Sequence, residues 1–173
     1  MINLKEKIRE VPDFPKKGIL FLDITTALKD KNALKEMADA LYGELKDLNI
    51  DYVAGVEARG FIFGAQLATM LNAGFVPIRK PNKLPAATIK ETYDLEYGTD
   101  TIEIHADSFE QGANVVIIDD LLATGGTAVA AANLIKKAGG NVVAASFVIE
   151  LTALKGREKL EKQGVNVISL LKY

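Results

Sequence analysis

Five short runs rich in valine and isoleucine recur along the 173 residues, and helical patterns separate most of them. They cover residues 52–56, 75–78, 115–118, 142–149 and 165–170. Apolar side chains fill successive positions of these runs instead of alternating with polar ones, so each strand needs cover on both faces. Strands of that kind, alternating with helices, form a parallel sheet covered by helices, and ligands of such sheets bind beyond the carboxyl ends of the strands. The expected fold class is α/β with a parallel core.

The helical patterns vary in quality. Asn3 and Glu6 resemble a capping pair, and Leu4, Ile8 and Val11 follow at helical spacing, which predicts a first helix that Pro12 stops. Asp30 can cap a longer helix in which Leu34, Met37, Ala38, Leu41, Leu45 and Leu48 form one buried face. Residues 60–71 are apolar nearly all round, as in a helix buried on several sides. Residues 80–92 are polar and show no period, which predicts a mobile loop. His105, the only histidine, falls on an expected strand and is expected to be structural.

Composition excludes several functions. A chain this long, with 49% hydrophobic residues, can bury one continuous core, and no repeat or linker divides it, so residues 1–173 are expected to form a single domain. Lysine and arginine number 21 against 23 acidic residues, and a net charge of -2 gives no general attraction to nucleic acid or to a membrane surface. No apolar run approaches the roughly 20 residues that span a bilayer, and residues 1–6 lack the apolar core of a signal peptide. The absence of cysteine removes disulfides, thiolate metal sites and thiol nucleophiles. A soluble, cytoplasmic protein is expected.

Residues 115–127 carry the chemistry. A buried strand runs into Asp119 and Asp120, then through Leu121, Leu122, Ala123, Thr124, Gly125, Gly126 and Thr127 into a helix that ends near Lys137. Two glycines let successive backbone N–H groups converge, Thr124 and Thr127 add hydroxyls, and the helix start supplies its positive dipole end. That geometry suits a dianionic phosphate. Asp119 and Asp120 could accept hydrogen bonds from vicinal ribose hydroxyls and could hold Mg2+ directly or through water. No Gly-Lys-Ser/Thr follows the glycines and no Gly-x-Gly-x-x-Gly is present, so neither a nucleoside-triphosphate loop nor a dinucleotide fingerprint is indicated.

The segment resembles the 5-phosphoribosyl-1-pyrophosphate (PRPP) signature of type I phosphoribosyltransferases. Four further motifs look like those of adenine phosphoribosyltransferases: Pro15-Lys16-Lys17-Gly18-Ile19-Leu20-Phe21-Leu22-Asp23-Ile24-Thr25, Gly55-Val56-Glu57-Ala58-Arg59-Gly60-Phe61, Arg79-Lys80-x-x-Lys83-Leu84-Pro85 and Leu95-Glu96-Tyr97-Gly98. The resemblance implies the type I phosphoribosyltransferase fold, a parallel-core sheet flanked by helices, with a small N-terminal hood over about residues 1–30 and a flexible lid loop over about 80–104. It implies conversion of adenine and PRPP to AMP and pyrophosphate with Mg2+, in a homodimer.

Residue roles follow from the same resemblance. Ala123, Thr124, Gly125, Gly126 and Thr127 would bind the 5-phosphate, and Asp119 and Asp120 the ribose. Glu57, Ala58, Arg59 and Gly60 would form the pyrophosphate loop, with a non-proline cis peptide. Arg79, Lys80 and Lys83 would add cations around the lid, and Glu96 would assist the proton of the purine imidazole ring. Adenine would stack on Phe21 between backbone groups of Leu20 and Leu22, although many relatives carry a basic residue where this chain has Leu22. A PRPP-sensing regulatory protein is the rival reading from another class, and a transferase for guanine, xanthine or orotate the rival within enzymes. The length leaves no room for a separate DNA-reading element.

Overall fold

The computed structural model describes residues 3–95 and 98–173. The chain divides into two compact units, Met1–Ala40 and Leu41–Tyr173.

In the first unit, α1 (Leu4–Lys7) is followed by β1 (Arg9–Pro12), β2 (Leu20–Asp23) and α2 (Thr25–Leu28). The expected first helix therefore stops early. Val11 is not on a helical face but pairs with Phe21 in an antiparallel ladder of β1 and β2. Pairing with the next strand overrode the local spacing, as is common for weak helical patterns. Helix α3 (Lys31–Leu45) begins as expected, with Asp30 Oδ1 accepting the N–H of Asn32 at 3.0 Å and of Ala33 at 3.3 Å. Its buried positions are Ala33, Met37, Ala38, Leu41 and Leu45, while Leu48 lies past its end.

The second unit is built on one sheet. Its strands are β3 (Tyr52–Val56), β4 (Gly74–Ile78), β7 (Asn114–Leu122), β8 (Asn141–Glu150) and β9 (Val167–Lys172), in the order β4-β3-β7-β8-β9, and every neighbouring pair is parallel. These are the five apolar runs. The helices are α4 (Gly60–Leu71), α5 (Gly126–Lys137) and α6 (Gly156–Glu161), and a 3-10 turn covers Thr152–Leu154.

Val115, Val116, Ile117 and Ile118 are all fully buried, because consecutive side chains of a strand point to opposite faces and both faces are covered. Val115 and Ile117 join Ala131, Leu134 and Ile135 of α5 in one core cluster. Each such aliphatic side chain contributes about 1.5–3 kcal/mol by leaving water. On the opposite face α4 packs against β3 and β7 and buries a single stripe of Gly60, Phe63, Gly64, Leu67 and Ala68. Ile62 remains 42% exposed, so burial of α4 on several sides is not observed. Its apolar composition exceeded what packing required.

Most of the stretch expected as an unpatterned lid is a hairpin of β5 (Thr88–Asp94) and β6 (Thr99–His105). Ile89, Glu91 and Tyr93 alternate inward along β5, and Ile102 and Ile104 of β6 enter the core. Glu91 occupies an inward position, which concealed the two-residue period from a reading of apolarity alone. Glu91 binds Lys137 and accepts from Asn133 Nδ2 at 3.1 Å, which docks β5 on α5. Among the described residues, no helix is long and apolar enough to cross a membrane.

Candidate active site

The sheet order dictates where a ligand belongs. From β3 the chain passes through α4 to β4 on one side, and later returns to β7 on the other side of β3. Crossovers that diverge in this way leave a crevice between the carboxyl ends of β3 and β7. The loops that leave those two ends contain residues 57–60 and 123–127.

Strand β7 runs further than expected, to Leu122, so that Asp119 and Asp120 are strand residues and not part of a turn. Leu122 O accepts the N–H of Leu151 at 2.9 Å, which prolongs the strand past its apolar run. Three residues later Gly125 takes φ 81° and caps α5, a left-handed conformation that glycine adopts without a Cβ penalty. No side chain caps the helix and no acidic residue occupies its first turn. Among the described residues, no loop or side-chain hydrogen bond takes the N–H of Ala123, Thr124, Gly125 or Gly126. These amides and the half-buried Gly126 and Thr127 border a cavity of about 100 Å³ that Asp119 also lines. Unsatisfied donors at a helix start form an anion site.

A glycine on α6 holds this loop close. A Cβ on Gly125 would come within 2.9 Å of both the Cα and the carbonyl oxygen of Gly156. Neither glycine tolerates a side chain without moving backbone.

Asp119 and Asp120 occupy consecutive positions near the carboxyl end of β7, beside the loop that follows β3. Glu57, Ala58, Arg59, Asp119 and Asp120 line a cavity of about 160 Å³. The peptide between Glu57 and Ala58 is cis, as the resemblance implied. Arg59 Nε donates to Asp120 Oδ2, and Asp120 is only 5% exposed. Asp119 Oδ1 accepts the N–H of Asp120 at 2.8 Å. Burial pushes the Asp119 carboxyl well above the usual carboxylate range, and the charge of Asp120 adds to it. Gly60 makes this meeting possible, since its missing Cβ would lie 2.6 Å from Ile118 O and 3.2 Å from Asp119 Oδ1.

Glu57 gathers the cations that follow β4. Its Oε1 accepts from Lys83 Nζ at 2.8 Å, and its Oε2 accepts from the N–H of Lys80 at 2.9 Å and from Arg79 Nε at 3.3 Å. The Lys83 hydrogen bond leads in holding the Glu57 carboxyl at about 2. Lys80 Nζ binds Asp100, which opposes Tyr93 across the hairpin. Burial alone would lower the Lys80 ammonium, but the Asp100 carboxylate outweighs it and the net shift is upward. Arg79, Lys80 and Lys83 thus surround one carboxylate or another in this conformation.

Two acidic residues on β7 fit a divalent cation that shares its other ligands with substrate oxygens. Among the described residues, no group of three or more histidine or acidic side chains stands ready to hold a metal alone. Mg2+ typically uses one or two carboxylates plus phosphate oxygens, so the pair suits it.

Leu20, Phe21 and Leu22 lie on β2 in the first unit. Leu20 is 48% exposed, Leu22 is buried, and the half-buried ring of Phe21 meets Phe14 edge-on with centroids 5.3 Å apart. Glu96 falls outside the described residues. Tyr93, Asp100 and Gly156 touch the site without having been singled out in the sequence. An inward position in an alternating strand was the signal for Tyr93, and nothing local marked Gly156.

Comparison with known proteins agrees with this geometry. Residues 24–171 match the family model described as phosphoribosyl transferase domain. The adenine phosphoribosyltransferase of Solibacter usitatus is 58% identical over 173 residues, covering 100% of this chain and 99% of its own. A solved structure of the enzyme from Thermoanaerobacter pseudethanolicus is similar with a TM-score of 0.94 at 54% identity, covering 98% of both chains. The Saccharomyces cerevisiae enzyme, solved with an imino-altritol bisphosphate and adenine, gives a TM-score of 0.92 at 42% identity, over 97% of this chain and 96% of that one.

Proposed function

The chain belongs to the adenine phosphoribosyltransferase family, and from that premise we propose how its residues carry the transfer of the 5-phosphoribosyl group of PRPP to N9 of adenine, giving AMP and pyrophosphate. The observation that carries the proposal is the open turn of amides at residues 123–126, at the start of α5 and beside Asp119 and Asp120.

The 5-phosphate docks on the backbone donors of Ala123, Thr124, Gly125, Gly126 and Thr127. Several convergent donors supply most of its binding, since the helix dipole adds only about 0.3–1 kcal/mol at an exposed site. Asp119 and Asp120 accept from the ribose hydroxyls and fix the sugar over the crevice. In the reaction the bond from N9 to the anomeric carbon forms, the bond from that carbon to the pyrophosphate oxygen breaks, and N9 gives up a proton. Charge accumulates positively on the ribose and negatively on the leaving group. Arg59, the amides of Ala58 and Gly60, and the cations Arg79, Lys80 and Lys83 receive pyrophosphate. Glu57 holds those cations together rather than meeting the anion itself. Preplaced charges of this kind act where charge develops, and no covalent nucleophile is needed.

Phe21 offers adenine a ring face and Leu20 and Leu22 their backbone groups, and Glu96 assists the purine proton. Mg2+ would be held by Asp119 and Asp120, directly or through water, and would neutralise charge on the pyrophosphate oxygens. A cytoplasmic homodimer, with residues 1–173 as one functional domain, completes the reading.

The test is direct. The protein is incubated with PRPP and Mg2+ and, in turn, adenine, guanine, hypoxanthine, xanthine or orotate. AMP as the sole nucleotide product supports the proposal. A different nucleotide would move the specificity within the family, and PRPP binding without any product would favour a regulatory role.

A further inference from the structure

One chain of hydrogen bonds joins the two anion-binding regions of the second unit. Thr127 Oγ1 donates to Tyr93 Oη at 3.1 Å, Tyr93 Oη donates to Asp100 Oδ2 at 3.1 Å, and Lys80 Nζ donates to the same Asp100 Oδ2. Thr127 belongs to the phosphate turn, and Lys80 follows Arg79, whose guanidinium rests on Glu57. The Tyr93 ring also lies against the turn, where a Cβ on Gly126 would meet Tyr93 Cδ2 at 3.5 Å.

We propose that Tyr93, with Asp100 behind it, is a positioning residue for PRPP, holding the Thr127 hydroxyl on one side and the Lys80 ammonium on the other. The inference rests on the reading of residues 123–127 as the phosphate cradle. A phenol suits the position because it can serve Thr127 in either direction. Without ligand, Thr127 donates to Tyr93 and Tyr93 donates to Asp100. When the Thr127 proton turns to a phosphate oxygen, Tyr93 can donate to Thr127 Oγ1 instead. Asp100 keeps the bonds from Lys80 and from the N–H of Thr101. Every group in the chain stays satisfied in both arrangements, so Thr127 Oγ1 need not move to bind phosphate.

Glu91 separates this role from simple docking. It fastens the same strand to α5 through Lys137 and Asn133 but takes no part in the chain of hydroxyls. The experiment compares Tyr93→Phe, Asp100→Asn and Glu91→Gln by steady-state kinetics, calorimetric binding of PRPP and thermal unfolding. Phe keeps the ring and removes only the hydroxyl.

Tyr93→Phe should raise KM and Kd for PRPP about three- to tenfold, the worth of a net hydrogen bond, and leave KM for adenine and kcat within about twofold. Asp100→Asn should shift PRPP in the same direction, and the double variant should be no worse than the weaker single one. Glu91→Gln should lower the unfolding temperature without changing KM for PRPP. Unchanged PRPP affinity in Tyr93→Phe would overturn the inference, as would an equal loss in Glu91→Gln. Failure of the unaltered protein to bind PRPP would instead remove the phosphate-cradle reading, and this one with it.

Discussion

Gly60→Ala tests whether close approach between α4 and β7 builds the active site. In an ordinary helix the change would stabilise by up to about 1 kcal/mol, because alanine is the better helix former. Here the added Cβ would stand 2.6 Å from Ile118 O, whereas real Cβ contacts do not fall below 3.0 Å, so relief takes a shift of about 0.4 Å. Ile118 is fully buried on β7, which pairs with β3 and β8, and cannot yield. The displacement falls on the first turn of α4 and on Arg59 just before it. Overpacking of this kind costs about 1–3 kcal/mol, which exceeds the propensity gain. The variant should unfold several degrees lower, at roughly 2–4 °C per kcal/mol for a chain of this size. A displacement of 1 Å can cost about 10²-fold in rate, so a shift of less than half that should lower kcat/KM roughly tenfold. Thermal unfolding and kinetics with varied PRPP provide the readout. A variant as stable and as active as the parent would refute the reasoning.

Asp119→Asn should trade activity for stability. A carboxyl whose folded pKa is raised favours the folded state while protonated, and that contribution fades as pH climbs from the ordinary 3.8 through the raised value. The variant should therefore melt higher than the parent at neutral and alkaline pH, converge with it in acid, and bind Mg2+-PRPP poorly; a parent that gains on the variant as pH rises would contradict this. Glu57, held at about 2, contributes stability above its ordinary 4.5 that is lost as pH falls toward 2, so denaturant titrations of Glu57→Gln should differ from the parent at pH 6 and merge with it near pH 2. Arg59→Ala leaves the buried Asp120 without its cation and removes the contact proposed for pyrophosphate. With Arg59 half exposed, the stability loss should be about 1–2 kcal/mol, while kcat for AMP pyrophosphorolysis should drop by about 10²-fold; equal rates would argue against its role.

The sheet was legible because both faces of its strands are buried, which leaves continuous valine and isoleucine runs that survive any packing detail. Strand ends were less so. Residues 119–122 belong to β7 through ladder bonds to β8, which act on acidic and aliphatic residues alike. A strand at His105 was legible, but its partner β5 stayed hidden because Glu91 and Tyr93 occupy inward positions by pairing with Lys137, Asn133 and Thr127, all distant in sequence. The turn into α5 was legible since two adjacent glycines end the apolar run, and Gly125 takes the left-handed conformation that caps the helix. The partners of Glu57 come from another strand end, so its hold on Lys83 and Arg79 could emerge only once β3 and β4 lay side by side.

A structure of the protein with AMP offers the sharpest test. The phosphate oxygens should lie within hydrogen-bond distance of backbone N–H groups of residues 123–127, with the ribose hydroxyls against Asp119 and Asp120. A nucleotide whose phosphate sits elsewhere, leaving those amides without it, would contradict the cradle.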